Sequence, residues 1–172
     1  MRDYEYKEEY IDFLKLPENR DLLRKNDLDT LFSKIESMRD QHPRWGLSYW
    51  NEFTQYITEL LYENGFSVEN YITKIWKHQF TNINKKTFYF PKVTHIQNYG
   101  FIDNKYVEEI DAPNVILVGF HAFDSCENLR KLSLPKLKKM DENALYGCMS
   151  ISAGFEFIRP ENCKFIRNFN VK

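Results

Sequence analysis

The stretch Gly119-Phe120-His121-Ala122-Phe123-Asp124-Ser125-Cys126-Glu127-Asn128-Leu129-Arg130-Lys131-Leu132-Ser133-Leu134-Pro135 decides how the chain folds, because its parts return at a fixed interval. Phe90-Pro91, Ala112-Pro113 and Leu134-Pro135 stand 22 residues apart, as do Val93, Val115 and Leu137. The same step joins Ile96, Val118 and Met140; Gly100, Ala122 and Ala144; Phe101, Phe123 and Leu145; Asn104, Cys126 and Cys148; and Val107, Leu129 and Ile151. A chance register of apolar residues would not also carry the proline and the small residue. The chain therefore contains three copies of one structural unit.

The chemistry of each column fits a coil that stacks on itself. In Leu129-Arg130-Lys131-Leu132-Ser133-Leu134-Pro135 the alternation turns Leu132 and Leu134 inward and Lys131 and Ser133 outward, which is strand periodicity. Proline closes the strand because it has no amide hydrogen for the ladder. Gly100, Ala122 and Ala144 suit a tight turn, and the Phe or Leu that follows fills the interior. One coil cannot bury that filling alone, so neighbouring coils must stack.

A repeat of this length lies in the leucine-rich range, and the quoted stretch resembles the BspA-type leucine-rich repeat, whose signature reads roughly IGxxAFxxCxxLxxVxIP. The resemblance covers residues 86 to 158. It departs at Asn104, which stands in the Cys column, and at Pro160, which follows Pro135 by 25 residues. The last repeat is accordingly expected to be a modified cap built on Phe155, Phe157, Phe165 and Ile166. The family also implies a buried Cys packed against the coil above and a protein-binding strand face.

The first half carries helical periodicity. Leu28, Leu31, Phe32, Ile35 and Met38 form one apolar stripe, with Asn26 or Asp27 as cap. Trp50, Phe53, Tyr56, Ile57, Leu60 and Leu61 form a second, with Ser48 as cap and Asn64-Gly65 as its end. A third is expected from Ser67, with Val68, Tyr71, Ile72, Ile75 and Trp76 on one side, and an earlier, more polar helix over residues 4 to 14. The fold class is thus α+β: a helical domain at 1–85 capping a solenoid of three 22-residue coils with a C-terminal cap at 86–172. The helices either cover the raw end of the solenoid or, given Trp45, Trp50 and Trp76, also hold a partner. Helices followed by a few repeats, together with Leu60-Leu61-Tyr62-Glu63-Asn64-Gly65, also resemble small leucine-rich-repeat proteins of bacteriophages and prophages. That resemblance implies a bacterial cytoplasmic setting and a protein that blocks or redirects a host factor.

Charge and motifs narrow the function further. The 172 residues sum to a formal charge of −1. Basic and acidic residues number 12 and 15 in the first 85 positions and 12 and 10 in the rest, so neither half has the basic footprint of a nucleic-acid binder. No leader-like or membrane-spanning apolar run is read. Cys126, Cys148 and Cys163 form no CxxC pair, and His42, His78, His95 and His121 show no metal-ligand spacing. No phosphate-cradling or nucleophile-elbow motif occurs. The expectation is a protein-binding module without catalytic residues, cofactor or metal. Lys131, Lys136, Lys138 and Lys139 are the one basic cluster, and they read as the wet face of the third coil.

Two sets of residues are the expected contacts. The strand face carries Tyr89, Glu109, Asp111, Lys131 and Ser133, with Glu109 and Lys131 facing each other as an ion pair. The second set is a contrast between coils: Ile116, Leu117 and Phe120 stand where the flanking coils carry Thr94, His95 and Asn98 or Lys138, Lys139 and Glu142. Three apolar residues in solvent-facing columns call for a cover, supplied by a partner protein, a second copy or the helical domain.

Overall fold

The computed structural model describes residues 12–41, 46–148 and 154–171. Most of the expected helix over 4–14, and also His42, Trp45 and Ile151, lie outside them. Among the described residues, 12–15 are helical and three further helices follow. Helix α1 (Pro17–Arg24) opens on a proline whose missing amide hydrogen is not needed there. Helix α2 (Leu28–Gln41) is capped by Asp27, which accepts the Thr30 amide at 3.1 Å. Helix α3 (Leu47–Glu63) ends at Asn64, with Gly65 at φ +80°. Its cap position is Gly46, not Ser48, which lies exposed in the first turn and makes no capping bond. The expected stripes of α2 and α3 are buried from Leu28 to Ile35 and at Trp50, Phe53, Tyr56, Ile57 and Leu61, with Leu60 half-buried.

Nine short strands follow among the described residues: β1 (Lys74–Ile75), β2 (Thr87–Tyr89), β3 (His95–Ile96), β4 (Glu109–Asp111), β5 (Leu117–Val118), β6 (Lys131–Ser133), β7 (Lys139–Asp141), β8 (Glu156–Ile158) and β9 (Lys164–Ile166). Alternate strands build two parallel sheets, β1-β3-β5-β7-β9 and β2-β4-β6-β8. The register obeys the repeat: Phe88 pairs with Ile110 and Ile110 with Leu132, while Ile96 pairs with Val118 and Val118 with Met140. These inward residues are buried in one continuous core.

The expected third helix is absent. Residues 66–73 form turns that lead into β1, which pairs with β3 through Lys74–His95 and Ile75–Ile96. Val68, Ile72 and Ile75 are buried as the coil's inward residues, so the spacing read as a helix is that of a turning chain with one wet side. Phe80 stacks on Phe101 with ring centroids 4.9 Å apart, continuing the aromatic column one coil further towards the N-terminus. Gly100 is glycine for the same reason, since a Cβ there would stand 3.0 Å from the Ile75 side chain.

The helices close the N-terminal end of the stack. Trp50 meets Trp76 edge-on at 5.7 Å, Phe32 stacks on Tyr71 at 6.1 Å, and buried Gln79 donates to Thr58 at 3.0 Å. At the other end β8 and β9 extend both sheets, with Phe157 beside Leu132 and Phe165 beside Met140. The Arg159 guanidinium lies 5.5 Å and 5.0 Å from the Phe157 and Phe165 ring centroids and roofs the last coil. The capping coil expected at Phe155 to Ile166 is thus a further rung of the same ladder.

Candidate interaction surface

Each sheet turns one face to the core and one to solvent, and the expected contact residues divide between the two solvent faces. On the four-stranded sheet, Thr87, Glu109, Lys131 and Glu156 form one outward column and Tyr89, Asp111, Ser133 and Ile158 the next. Tyr89, Glu109, Asp111, Lys131 and Ser133 therefore sit together in the expected register, with Tyr89 54% exposed.

Their ion pairing differs from expectation. Glu109 is met by Arg130 at 2.9 Å and not by Lys131, which turns to Glu156 at 3.2 Å. Arg130 stands just ahead of its strand, and its fork reaches both Glu109 and Glu108, the latter at 3.2 Å. Lys86 reaches Glu108 from the other side at 2.6 Å. The Lys86 hydrogen bond holds the Glu108 carboxyl below its ordinary value against partial desolvation, with Arg130 adding to the effect.

On the five-stranded sheet the outward column runs Lys74, His95, Leu117, Lys139, Lys164. Ile116 lies just ahead of Leu117, between Thr94 and Lys138 on the neighbouring coils: its amide donates to the Thr94 carbonyl at 2.8 Å and its carbonyl accepts from Lys138 at 2.9 Å. Both apolar side chains are half-buried. Lys138, Lys139 and Lys164 are exposed, and none makes an ion pair among the described residues. Burial, with Lys74 adding repulsion, holds the His95 imidazole below its ordinary value.

Phe120 does not join Ile116 and Leu117 on the strand. It occupies the turn after β5, edge-on to Tyr99 at 5.7 Å and against His121 at 3.8 Å. The segment after β9 returns across this turn. Phe169 accepts the Phe120 amide at 3.1 Å and donates its own amide to the buried Asp141 carboxylate. Asn98 ties the segment down: its side-chain oxygen accepts from Phe120 at 3.1 Å and from Val171 at 3.2 Å, and its amide nitrogen donates to Asn170 at 2.5 Å. Gly119 makes room, because a Cβ there would meet the Asn98 side-chain oxygen at 2.2 Å. Phe120 is thus met in part by the chain itself, from a segment that lies outside the repeat register. The sequence signal was available: Phe169 and Val171 are apolar residues set between Arg167, Asn168 and Asn170.

The two buried thiols are occupied structurally, while Cys163 is free and half-buried. The Cys126 thiol donates to the Phe101 carbonyl at 3.2 Å and the Cys148 thiol to Phe123 at 3.0 Å. Burial pushes Cys126 well up and Cys148 up to about 11, so neither supplies a thiolate near neutrality. Asn104 performs the same service in its coil, donating to Phe80 at 2.7 Å and Ile83 at 3.2 Å. Ser125, Asp124 and His121 lie side by side, but Asp124 stands in the middle, 2.8 Å from the hydroxyl and 2.5 Å from His121 Nδ1. In that order the carboxylate, not the imidazole, accepts from the hydroxyl, so the base needed for nucleophile activation is not in contact with it. Among the described residues no helix is long and apolar enough to cross a membrane, and no three side chains are grouped to hold a metal ion.

A family model described as BspA type leucine rich repeat region (6 copies) matches residues 58–169. No curated protein and no solved structure matches the chain.

Proposed function

The chain belongs to the BspA-type leucine-rich-repeat family, and from that premise we propose that it is a non-catalytic binding protein whose partner docks on the five-stranded sheet, with Ile116 and Leu117 as the apolar anchor. Short repeat solenoids are protein-interaction modules, since stacking fixes the inward columns and leaves the outward ones free to vary. The observation that carries the choice of face is the position of Leu117, flanked in its own column by His95 and Lys139 on the paired strands. Neither flanking coil puts an apolar side chain there. A half-exposed leucine inside a cationic column contributes little to folding and about 1.5 to 3 kcal/mol when a partner covers it. The helices serve to close the end of the stack, as the Trp50–Trp76 contact supports. In the finer reading the partner is a host factor that a phage-borne protein blocks or redirects.

Replacing Ile116→Thr and Leu117→Lys gives the middle coil residues of the kind its neighbours carry, so folding should be retained. We expect unchanged circular dichroism and thermal midpoint, with loss of the proteins that the unmodified chain retains from host-cell extract. Changing Tyr89, Asp111 and Lys131 together should leave that capture intact. The reverse pattern would move the site to the four-stranded sheet. Sedimentation velocity of both variants tests a second copy as the occupant: a dimer that becomes a monomer on Leu117→Lys would replace the host factor with self-association.

A further inference from the structure

The cations beside Ile116 and Leu117 state what the partner must look like. One column holds the lysines Lys74, Lys139 and Lys164, with His95 among them, around Leu117, and Lys138 stands next to Ile116. Neither position contains a carboxylate in any coil. Lys138, Lys139 and Lys164 have no anionic partner among the described residues, whereas Lys86, Arg130 and Lys131 beside the other sheet each reach a carboxylate. Like charges on adjacent rungs, about 4.8 Å apart, repel one another and oppose stacking. Lys138, Lys139 and Lys164 are therefore stabilised when something anionic meets them.

Building on the proposed docking face, we propose that its occupant is an acidic, extended protein segment, with one large apolar side chain seated on Ile116 and Leu117. Carboxylates beside that side chain meet Lys138, Lys139 and Lys164, the exposed lysines on the C-terminal side of Leu117. The dimensions fit: Lys139 and Lys164 lie one and two rungs from Leu117, about 5 and 10 Å, while an extended segment places same-side residues about 7 Å apart. Flexible lysine stems absorb the difference. A nucleic-acid backbone suits this face less well, because it wants an unbroken cationic track and offers nothing apolar to cover the leucine in the middle. Interfaces of the proposed kind put the apolar contact at the centre and the charges at the rim.

The test is a display selection of random twelve-residue peptides on the full chain, repeated on Lys138→Gln/Lys139→Gln/Lys164→Gln and on Leu117→Lys, each checked for fold by circular dichroism. We expect enriched peptides to carry several Asp or Glu around one Leu, Ile, Phe or Trp. Their recovery should fall about tenfold on the triple variant, and their affinity should weaken steeply between low and physiological salt. Enrichment of neutral or basic peptides that still depends on Leu117 would overturn the acidic partner while keeping the docking face. Enriched peptides indifferent to Leu117→Lys would overturn the docking face itself, and no enrichment above bare support would overturn both. A labelled 20-nucleotide single strand that binds more tightly than the best peptide, and is lost on the triple variant, would replace the protein segment with nucleic acid.

Discussion

Beside the four-stranded sheet Lys86, Arg130 and Lys131 each reach a carboxylate; beside the five-stranded sheet Lys138, Lys139 and Lys164 reach none among the described residues. The two sheets are cut from the same coils, share one core and are held by the same parallel ladder, so folding does not require the difference. Stability in a stacked solenoid comes from inward columns and from the interface between neighbours. What varies outward without cost to the stack records what each face meets. A face that neutralises itself is at rest in water, while the face with exposed lysines and a leucine at its centre is the one proposed to be completed by a partner.

The largest effect should come from the element that both faces share. Phe123 is fully buried and stacks on Phe101 at 5.4 Å. Phe123→Ala should destabilise the chain by about 3 to 5 kcal/mol, lowering the thermal midpoint. Amide exchange should accelerate in β4 and β6 and in β5 and β7 alike. Acceleration in one sheet only would break the comparison, since the faces would then not rest on a common core.

A smaller loss is expected at Asn104. Its side chain donates to Phe80 and Ile83 and accepts the amides of Tyr106 and Val107 at 2.9 and 3.0 Å. Asn104→Ala strands those buried groups and should lower stability by about 1 to 3 kcal/mol in chemical denaturation. Asn104→Cys introduces the residue of the two following coils and one donor, but it cannot accept the two amides. It should recover part of the loss and no more.

These two residues also show how far the sequence could be read. The 22-residue step carried Phe101, Phe123 and the strand registers correctly, because inward columns repeat whatever the outer residues do. It stopped at residue 86 because the preceding coil steps by 21: Phe80 to Phe101, Ile75 to Ile96, Thr73 to Thr94. Without the proline or the small-residue turn, its spacing of Val68, Ile72 and Ile75 matched a helix as well as a coil. The Ile116 and Leu117 contrast was legible as a break in a column. The assignment of Glu109 to Lys131 failed because register fixes backbones, while a long guanidinium from the residue ahead can reach first. Lys74 and Lys164 were missed as site residues because they lie in coils whose step is not 22.

A buried ion pair where the helices join the solenoid sharpens the contrast with the exposed pairs. Glu69 is buried and hydrogen-bonded by Lys85 and Ser67. Desolvation works to raise its carboxyl, but those bonds outweigh it and hold the value below the ordinary 4.5. Because the folded value is the lower one, the stabilisation is complete above about pH 4.5 and is lost as pH falls through the folded value. Glu69→Gln should flatten the thermal midpoint's dependence on pH in that acid range. An unchanged acid profile would show that the pair carries no linkage.

The smallest effect should come from the charges that set the two faces apart. Arg130 bridges Glu108 and Glu109, yet its side chain is 60% exposed, and such pairs contribute about 0 to 1 kcal/mol. Arg130→Ala should therefore lower stability by less than about 1 kcal/mol, and the loss should disappear in high salt. Peptides selected on the five-stranded sheet should bind the variant as they bind the parent, since the change leaves their face untouched. It does free Glu108 and Glu109, giving the four-stranded sheet an unpaired charge of its own. A cationic peptide ignored by the parent should then begin to bind there, weakly and only at low salt. A loss of stability above about 2 kcal/mol would instead make Arg130 part of the packing. In that case the paired face owes its charges to the fold, and the contrast with the unpaired face would say nothing about partners.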